Sequence, residues 1–247
     1  MTSASSPRSF AYRIARGLVV LVLAVLLLPY LLAPLYRIFD PVSTAMLWRW
    51  MTGARVERTY VPLERIAPVL PRTVIASEDA KFCSHRGIDW GELKAAMEEA
   101  DELGDMRGAS TITQQTAKNL FFWGGRSFVR KALEFPLALW MDLVLPKRRI
   151  MEIYLNIAQW GPGGQFGVEA GARRAFSKSA RDLTAGEAAT LAAVLPNPYR
   201  RNAQRPGPGV RRIATRIQGR AAAAGDIDAC VRPADRKASG HAGPHPL

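Results

Sequence analysis

Two glutamates and a group of cations are the residues of this chain best suited to chemistry. Glu78 follows a short apolar run, Thr73 to Ala76, and precedes Asp79. A carboxylate with one side against apolar residues holds its proton more tightly, which suits a general base near neutral pH. The plainer reading is that Glu78 and Asp79 open a helix and complement its dipole, because acids favour a first turn. Arg130, Lys131 and Glu134 stand at i, i+1 and i+4, so both cations share a helix face with Glu134. On an exposed surface such a trio contributes less than ~1 kcal/mol. It lies, however, in a long segment from Arg126 to about Leu145 that is otherwise nearly all apolar, with Pro136 as an expected kink. A polar cleft would account for charge there. Lys118, Arg126, Arg130 and Lys131 fall within 14 residues, next to Gly108–Gln115, GASTITQQ. Several cations beside amide donors suit a diphosphate, whose charge they share.

Other chemistries lack support. His85, His241 and His245 have no metal-ligand spacing, and no P-loop, GxSxG or GxGxxG is present. The Gly-rich stretch 161–167 follows no strand pattern, so a phosphate cradle there is unsupported.

Helical signals dominate the elements that must position these residues. Asp89, with Glu92 three residues on, predicts a capping box and a helix to about Gly104. Ile150, Ile153, Tyr154 and Ile157 give helical spacing over Arg148 to Asn156. Thr184 and Glu187 predict a second capping box before EAATLAAVL, which stops at Pro196. Residues 208–224 suit an Arg-rich helix, and the Ala-, Gly-, Pro- and His-rich end suits disorder. Leu120-Phe121-Phe122-Trp123 before two glycines is either core or an apolar tip that dips into lipid. Residues 41–72 read as a linker and lead-in, and no clear strand pattern emerges.

The chain has 247 residues, enough for one sizeable domain with a real core, and its 48% apolar content excludes disorder throughout. Its 34 basic and 21 acidic side chains give +13, which requires negatively charged partners. More than half of that excess follows residue 199, and the middle of the chain is near balance. A nucleic-acid enzyme more often spreads positive charge over a domain face. Leu18 to Tyr36 is 19 residues without charge. As a helix it would be about 28 Å long, close to the hydrocarbon thickness of a bilayer. The run flows into Ile38 and Phe39 without a small-x-small site, which favours an uncleaved signal anchor over 18–39 rather than a signal peptide or a core helix. Arg8, Arg13 and Arg16 precede it with no acid, so residues 1–17 are expected in the cytoplasm and the rest outside it. There Cys83 and Cys230 could form a disulfide, and two free thiols remain an equal alternative.

Together these motifs resemble the peptidoglycan glycosyltransferases, in particular the monofunctional members. The matching segments run in the family's order: Glu78-Asp79-Ala80-Lys81-Phe82 with His85 and Gly87, then GASTITQQ, then Arg126-Ser127 with Arg130-Lys131 and Glu134. Lys147 to Asn156, Gly167-Val168-Glu169-Ala170 and Glu187-Ala188-Ala189 follow. The resemblance implies a mainly α, lysozyme-like, two-lobed glycosyltransferase domain with a membrane-associated jaw over 58–202. One transmembrane helix and a 40–57 linker would precede it, and a basic, partly disordered tail over 203–247 would follow. It implies polymerisation of lipid II into β-1,4 glycan strands with release of undecaprenyl diphosphate, at the inner membrane with the catalytic domain periplasmic. Glu78 would be the catalytic base and Glu134 the second catalytic glutamate. Ser110, Gln114, Gln115, Lys118, Arg126, Arg130 and Lys131 would bind substrate. A divalent cation, Mg or Mn, near Glu134 is the one cofactor the resemblance allows. Expected partners are lipid II, the lipid-linked glycan strand, membrane lipid and cell-wall synthesis proteins, with no nucleic acid.

Two departures stand out. Gln159 replaces the family's frequent Glu after the YLN motif, and Ala175-Phe176-Ser177-Lys178 replaces YFxK. No SxxK with a later KTG is present, so a transpeptidase activity is not expected. Two rival functions are a lysozyme-like hydrolase acting on finished glycan and a non-enzymatic basic anchor. The first has no need of a diphosphate cation cluster, and the second does not account for ordered motifs.

Overall fold

The structure, a computed structural model, describes residues 7–99, 110–125 and 128–232. A long helix α1 (Pro7–Leu35) leads, followed by α2 (Thr44–Met51), a two-residue strand β1 (Glu57–Arg58) and α3 (Val69–Glu78). Then come α4 (Trp90–Glu98), α5 (Ile112–Phe121), α6 (Phe128–Val144) and α7 (Lys147–Ile157). Strand β2 (Gln165–Phe166), α8 (Val168–Phe176), α9 (Ala185–Val194) and α10 (Pro208–Ala223) complete the described chain. The two strands pair in parallel, Glu57 with Gln165 and Arg58 with Phe166. The mainly α expectation is met.

Helix α7 forms the centre of the core. Ile150, Met151, Ile153, Tyr154, Leu155 and Ile157 are all buried, so it is apolar on nearly every side, and α5 packs along it. Helix α9 is a second central element. Its many alanines let α3 and α10 pack against it. Its start carries the predicted capping box, in which Thr184 and Glu187 exchange side-chain and backbone bonds. Two polar residues of α7 fix the lead-in. Asn156 bonds both backbone groups of Val61, and Glu152 accepts from Leu63 N–H and the Tyr60 hydroxyl.

Within α1, the 25 residues Ala11–Leu35 are long and apolar enough to cross a membrane, with mean hydropathy 2.8 over an 18-residue window. Its C-terminal end is tied to the domain. Trp140 of α6 donates its indole N–H to Tyr30 O at 2.9 Å, and Arg37 donates to Val144 O at 2.6 Å. Arg149 reaches back to Tyr36 O, Phe39 O and Asp40. The segment expected as a linker contains α2, capped by Ser43 and held on α5 by the Thr44 hydroxyl, which donates to Phe122 O at 2.6 Å.

Several local expectations need correction. Glu78 and Asp79 do not open a helix. They close α3, with Glu78 its last residue and Asp79 its C-cap, because the apolar run before them is helical and buried. The dipole explanation of these acids therefore falls. Helix α4 ends at Glu98, short of Gly104, and residues 100–109 lie outside the described ones. Asp89 caps α4 through Gly91 N and Glu92 N. Glu92 does not complete the box, because Lys81 takes its carboxylate at 3.1 Å.

At the other end of the chain, Cys83 and Cys230 are bonded, with Cα atoms 5.5 Å apart, which decides between the two alternatives for these thiols. Residues 208–223, placed in the tail by composition, form α10, which packs on α9 and α3. Arg72 of α3 closes its C-terminal end by donating to Ala221 O, Ala224 O and Gly225 O and pairing with Asp228. These are the orphan carbonyls of a helix end, where positive charge is also favoured.

Candidate active site

Glu78 projects from the last turn of α3 into a cleft of about 210 Å³ that Ser77, Asp79, Ser110, Thr111 and Arg220 help to line. Its carboxylate accepts from Gln115 Nε2 at 3.1 Å and from the Ser77 hydroxyl at 3.1 Å. Gln115 is held in turn by the buried Tyr154, whose hydroxyl donates to Gln115 Oε1 at 3.1 Å. Burial pushes the Glu78 carboxyl above its ordinary range, against those two hydrogen bonds and the positive charges of Lys118 and Arg201. Its place at the negative end of α3 acts in the same direction as burial. The result is a carboxylate within reach of a cleft and more basic than a surface glutamate, as a general base requires.

Asp79 turns the other way and is buried. Its oxygens lie 2.9 and 3.0 Å from His85 Nε2, and Oδ2 accepts from Ile112 N–H at 2.9 Å. It therefore fixes both the turn after Glu78 and the start of α5. Gly87 brings the same turn against α6. Its φ of +77° is left-handed, and a Cβ there would stand 2.6 Å from Ala138 O.

The second carboxylate, Glu134, is buried on the inner face of α6. Arg130 Nε lies 2.9 Å from its Oε1, and Lys131 Nζ lies 3.6 Å from its Oε2. Lys131 also donates to the Ser110 hydroxyl at 3.0 Å, and Arg130 to Trp123 O at 2.9 Å. Lys118, on α5, links the two carboxylates. Burial lowers its pKa, the charges of Glu134 and Glu78 both raise it, and Arg130 and Lys131 lower it further. Burial lowers the pKa of Lys131 as well, with Glu134 opposing. Ammonium groups kept partly out of water interact more strongly with an anion that enters. A larger cleft of about 1100 Å³ opens beside Gln115, Lys118 and Tyr154 and reaches α2 and the residues after α9.

A model of the transglycosylase family matches residues 45–221, most of the chain. The chain belongs to this family. Among its relatives are the biosynthetic peptidoglycan transglycosylases of Nitrobacter winogradskyi, Rhodopseudomonas palustris and Agrobacterium fabrum. The first is 61% identical over 212 residues, 86% of this chain and 94% of the relative. The second is 60% identical over 229 residues, 93% and 96% of the two chains. The third is 48% identical over 220 residues, 88% and 97%.

On the lysozyme-like helical frame of this transglycosylase, most of the expected site residues fall into two groups. Glu78, Gln115 and Lys118 are brought together, as are Ser110, Arg130, Lys131 and Glu134. Gln114 is buried away from the clefts. Its Oε1 accepts from Thr111 N–H, and it completes the capping box of α5. Arg126 lies outside the described residues. Three further family positions serve the frame. Glu169 is buried and accepts from Ala180 N–H, Glu187 caps α9, and Lys147 pairs with Asp142 at 2.6 Å. Gln159 donates to Gly161 O at 2.7 Å and lines the larger cleft. Sequence reasoning missed Tyr154 as the support of Gln115 and Arg201 as a charge acting on Glu78. The helical spacing marked Tyr154 as core, and nothing local distinguishes Arg201 from its basic neighbours.

The described side chains form no cage of their own for a divalent cation near Glu134. Magnesium held by protein alone would need several oxygen ligands, whereas one or two carboxylates suffice where substrate phosphates and water complete its shell. Here Glu134 faces two cations, and among the described residues no group of three or more His, Cys, Asp or Glu side chains gathers anywhere.

Proposed function

We propose that the chain is a peptidoglycan glycosyltransferase that polymerises lipid II into β-1,4 glycan strands and releases undecaprenyl diphosphate, without transpeptidase activity. The observation that carries this reading is a basic Glu78 in the open cleft together with a buried Glu134 held by Arg130 and Lys131, of which Lys131 also bonds Ser110 of that cleft. A hydrolase of finished glycan would need the first feature and have no use for the second.

In the proposed step Glu78 takes the proton from the 4-hydroxyl of the acceptor sugar. That oxygen bonds to the anomeric carbon of the lipid-linked donor as the carbon–diphosphate bond breaks, and the configuration inverts. The departing diphosphate takes the negative charge, which Lys118, Arg126, Arg130 and Lys131 neutralise. Ser110 orients Lys131, Glu134 holds Arg130 and Lys131 in place, and Gln115 orients Glu78. Preset cations of this kind lower the barrier without reorganising during the reaction.

The proposed topology puts residues 1–17 in the cytoplasm, the anchor over 18–39 in the inner membrane and the catalytic domain in the periplasm. Arg8, Arg13 and Arg16, at the start of α1 and before its uncharged run, support that orientation, and a disulfide suits an oxidising compartment. Exposed Trp48 and Trp123, which line the larger cleft, suit a jaw that touches lipid, while Leu120 of the expected apolar tip belongs to the core.

The deciding experiment gives the purified full chain lipid II and separates the products by size. Glycan strands with release of undecaprenyl diphosphate are expected. Digestion of finished sacculi with no synthesis would assign the cleft to a hydrolase.

A further inference from the structure

Helix α10 carries a row of arginines that the proposed reaction does not use. Arg212, Arg216 and Arg220 recur every four residues and all three are exposed. The row is about 12 Å long and drifts by about 40° per step around the helix. Ala214, Ile217 and Ala221 set the buried face, so Arg212 points away from the core and Arg220 flanks it. Arg220 thereby lines the same cleft as Glu78 and Ser110. No described carboxylate pairs with any of the three. The nearest acids in sequence are engaged elsewhere, Asp226 with Arg232 and Asp228 with Arg72.

The row is also held in place. Arg72 closes the C-terminal end of α10, and the Cys83–Cys230 bond ties the following segment to the turn after Glu78. Three cations on one helix, with no described carboxylate paired to them and beginning at the cleft mouth, form a prepared surface for anionic groups. Two anions could meet it, lipid headgroups or carboxylates on the substrate. Helix α10 packs on α9 and α3, whereas the membrane-crossing α1 packs on α6. The direct link from Arg220 to the Glu78 cleft favours the substrate.

We propose that Arg212, Arg216 and Arg220 form a track that binds the carboxylates of the peptide carried by the sugar substrate. The proposal rests on reading the Glu78 cleft as the site of glycan polymerisation. The peptide hangs from the sugar, so a track starting at the cleft and running outward along α10 would hold it clear of the reacting oxygen. Guanidinium groups suit this role because they grip a carboxylate with two parallel hydrogen bonds.

The test compares the full-length wild type with R212Q/R216Q, on lipid II and on lipid II whose peptide carboxylates are amidated. On lipid II the variant should raise KM about fivefold with kcat within about twofold, a size set by two exposed ion pairs. On the amidated substrate the two proteins should have equal KM. R212K/R216K, which keeps the charge, should recover most of the loss, and the thermal midpoint of R212Q/R216Q should match the wild type. Equal KM on lipid II, or an undiminished KM difference on the amidated substrate, would overturn the track. Weaker binding of the variant to phosphatidylglycerol vesicles with unchanged KM in detergent would assign the row to lipid instead. A wild type that fails to polymerise lipid II at all would sink the reading of the cleft, and the track with it.

Discussion

Gln115 Nε2 lies 3.1 Å from Glu78 Oε2, and the same amide receives the hydroxyl of Tyr154 on its oxygen. The buried tyrosine thus fixes the amide's orientation, and the amide fixes one oxygen of the carboxylate. Glu78 is positioned from the core outward, while its raised proton affinity comes from burial and from its place at the end of α3.

Replacing Glu78 by Gln should reduce the polymerisation rate by about 10²–10⁴, the usual contribution of a general base. Lipid II polymerisation measures it, and a variant at wild-type rate would remove Glu78 from the base role. The acid limb of the wild-type pH–rate profile should lie above the ordinary glutamate range, because only the deprotonated carboxylate accepts a proton.

The same group predicts a stability effect of opposite sense. Its carboxyl binds a proton more tightly when folded than when unfolded. Its contribution to stability is therefore greatest while it is protonated, and falls as pH rises from the unfolded pKa through the folded one. Glu78→Gln should accordingly unfold at a higher temperature than wild type at pH 7.5, with the difference narrowing toward pH 4. Calorimetry across that range tests the sign.

Asp79 should behave in the opposite way to its neighbour. Removing a buried acceptor leaves its buried donors unsatisfied, which costs roughly 1–3 kcal/mol for each. Asp79→Ala should lose stability of that order, seen as a lower urea midpoint, because it releases both His85 and Ile112 N–H. A midpoint equal to wild type would show that the turn after Glu78 is held by something else.

Lys118→Met should lower kcat/KM on lipid II by about 10²-fold, as loss of one preset charge-stabilising donor does. Its folded pKa is depressed by burial, so the methionine variant should keep or raise the thermal midpoint. A large fall in stability together with activity would make Lys118 a structural residue.

The Cys83–Cys230 bond closes a loop across 147 positions of sequence. Cross-links of such span typically contribute about 2–5 kcal/mol by restricting the unfolded chain. Cys83→Ser with Cys230→Ser should lower the thermal midpoint in non-reducing buffer, and a reductant should do the same to the wild type but not to the variant.

Much of the frame was legible in the sequence because local rules govern it. The capping box at Thr184 and Glu187, the helical spacing of α7 and the Arg-rich α10 all follow from short-range pattern. Glu134 with Arg130 and Lys131 was legible for the same reason, since one helix holds all three. What failed was decided at longer range. The four-residue run before Glu78 was too short to show that a helix ends there rather than begins. Lys81 and Glu92 compete with the α4 cap from 11 positions apart, which no local signature contains. Gln114 and Gln115 are adjacent and chemically identical. Only helix geometry turns one into the cap of α5 and the other toward Glu78.

The bonds from Trp140 and Arg149 to the end of α1 and the turn after it, and from Arg37 of that turn to Val144, leave little slack between the candidate membrane helix and the domain. With α1 in a bilayer, the anchor acts less as a tether than as a gauge. It sets the altitude of the Glu78 cleft above the hydrocarbon. A substrate whose diphosphate is pinned at the lipid surface by its own tail presents its sugars at one height, and an enzyme mounted this way is built to meet them there.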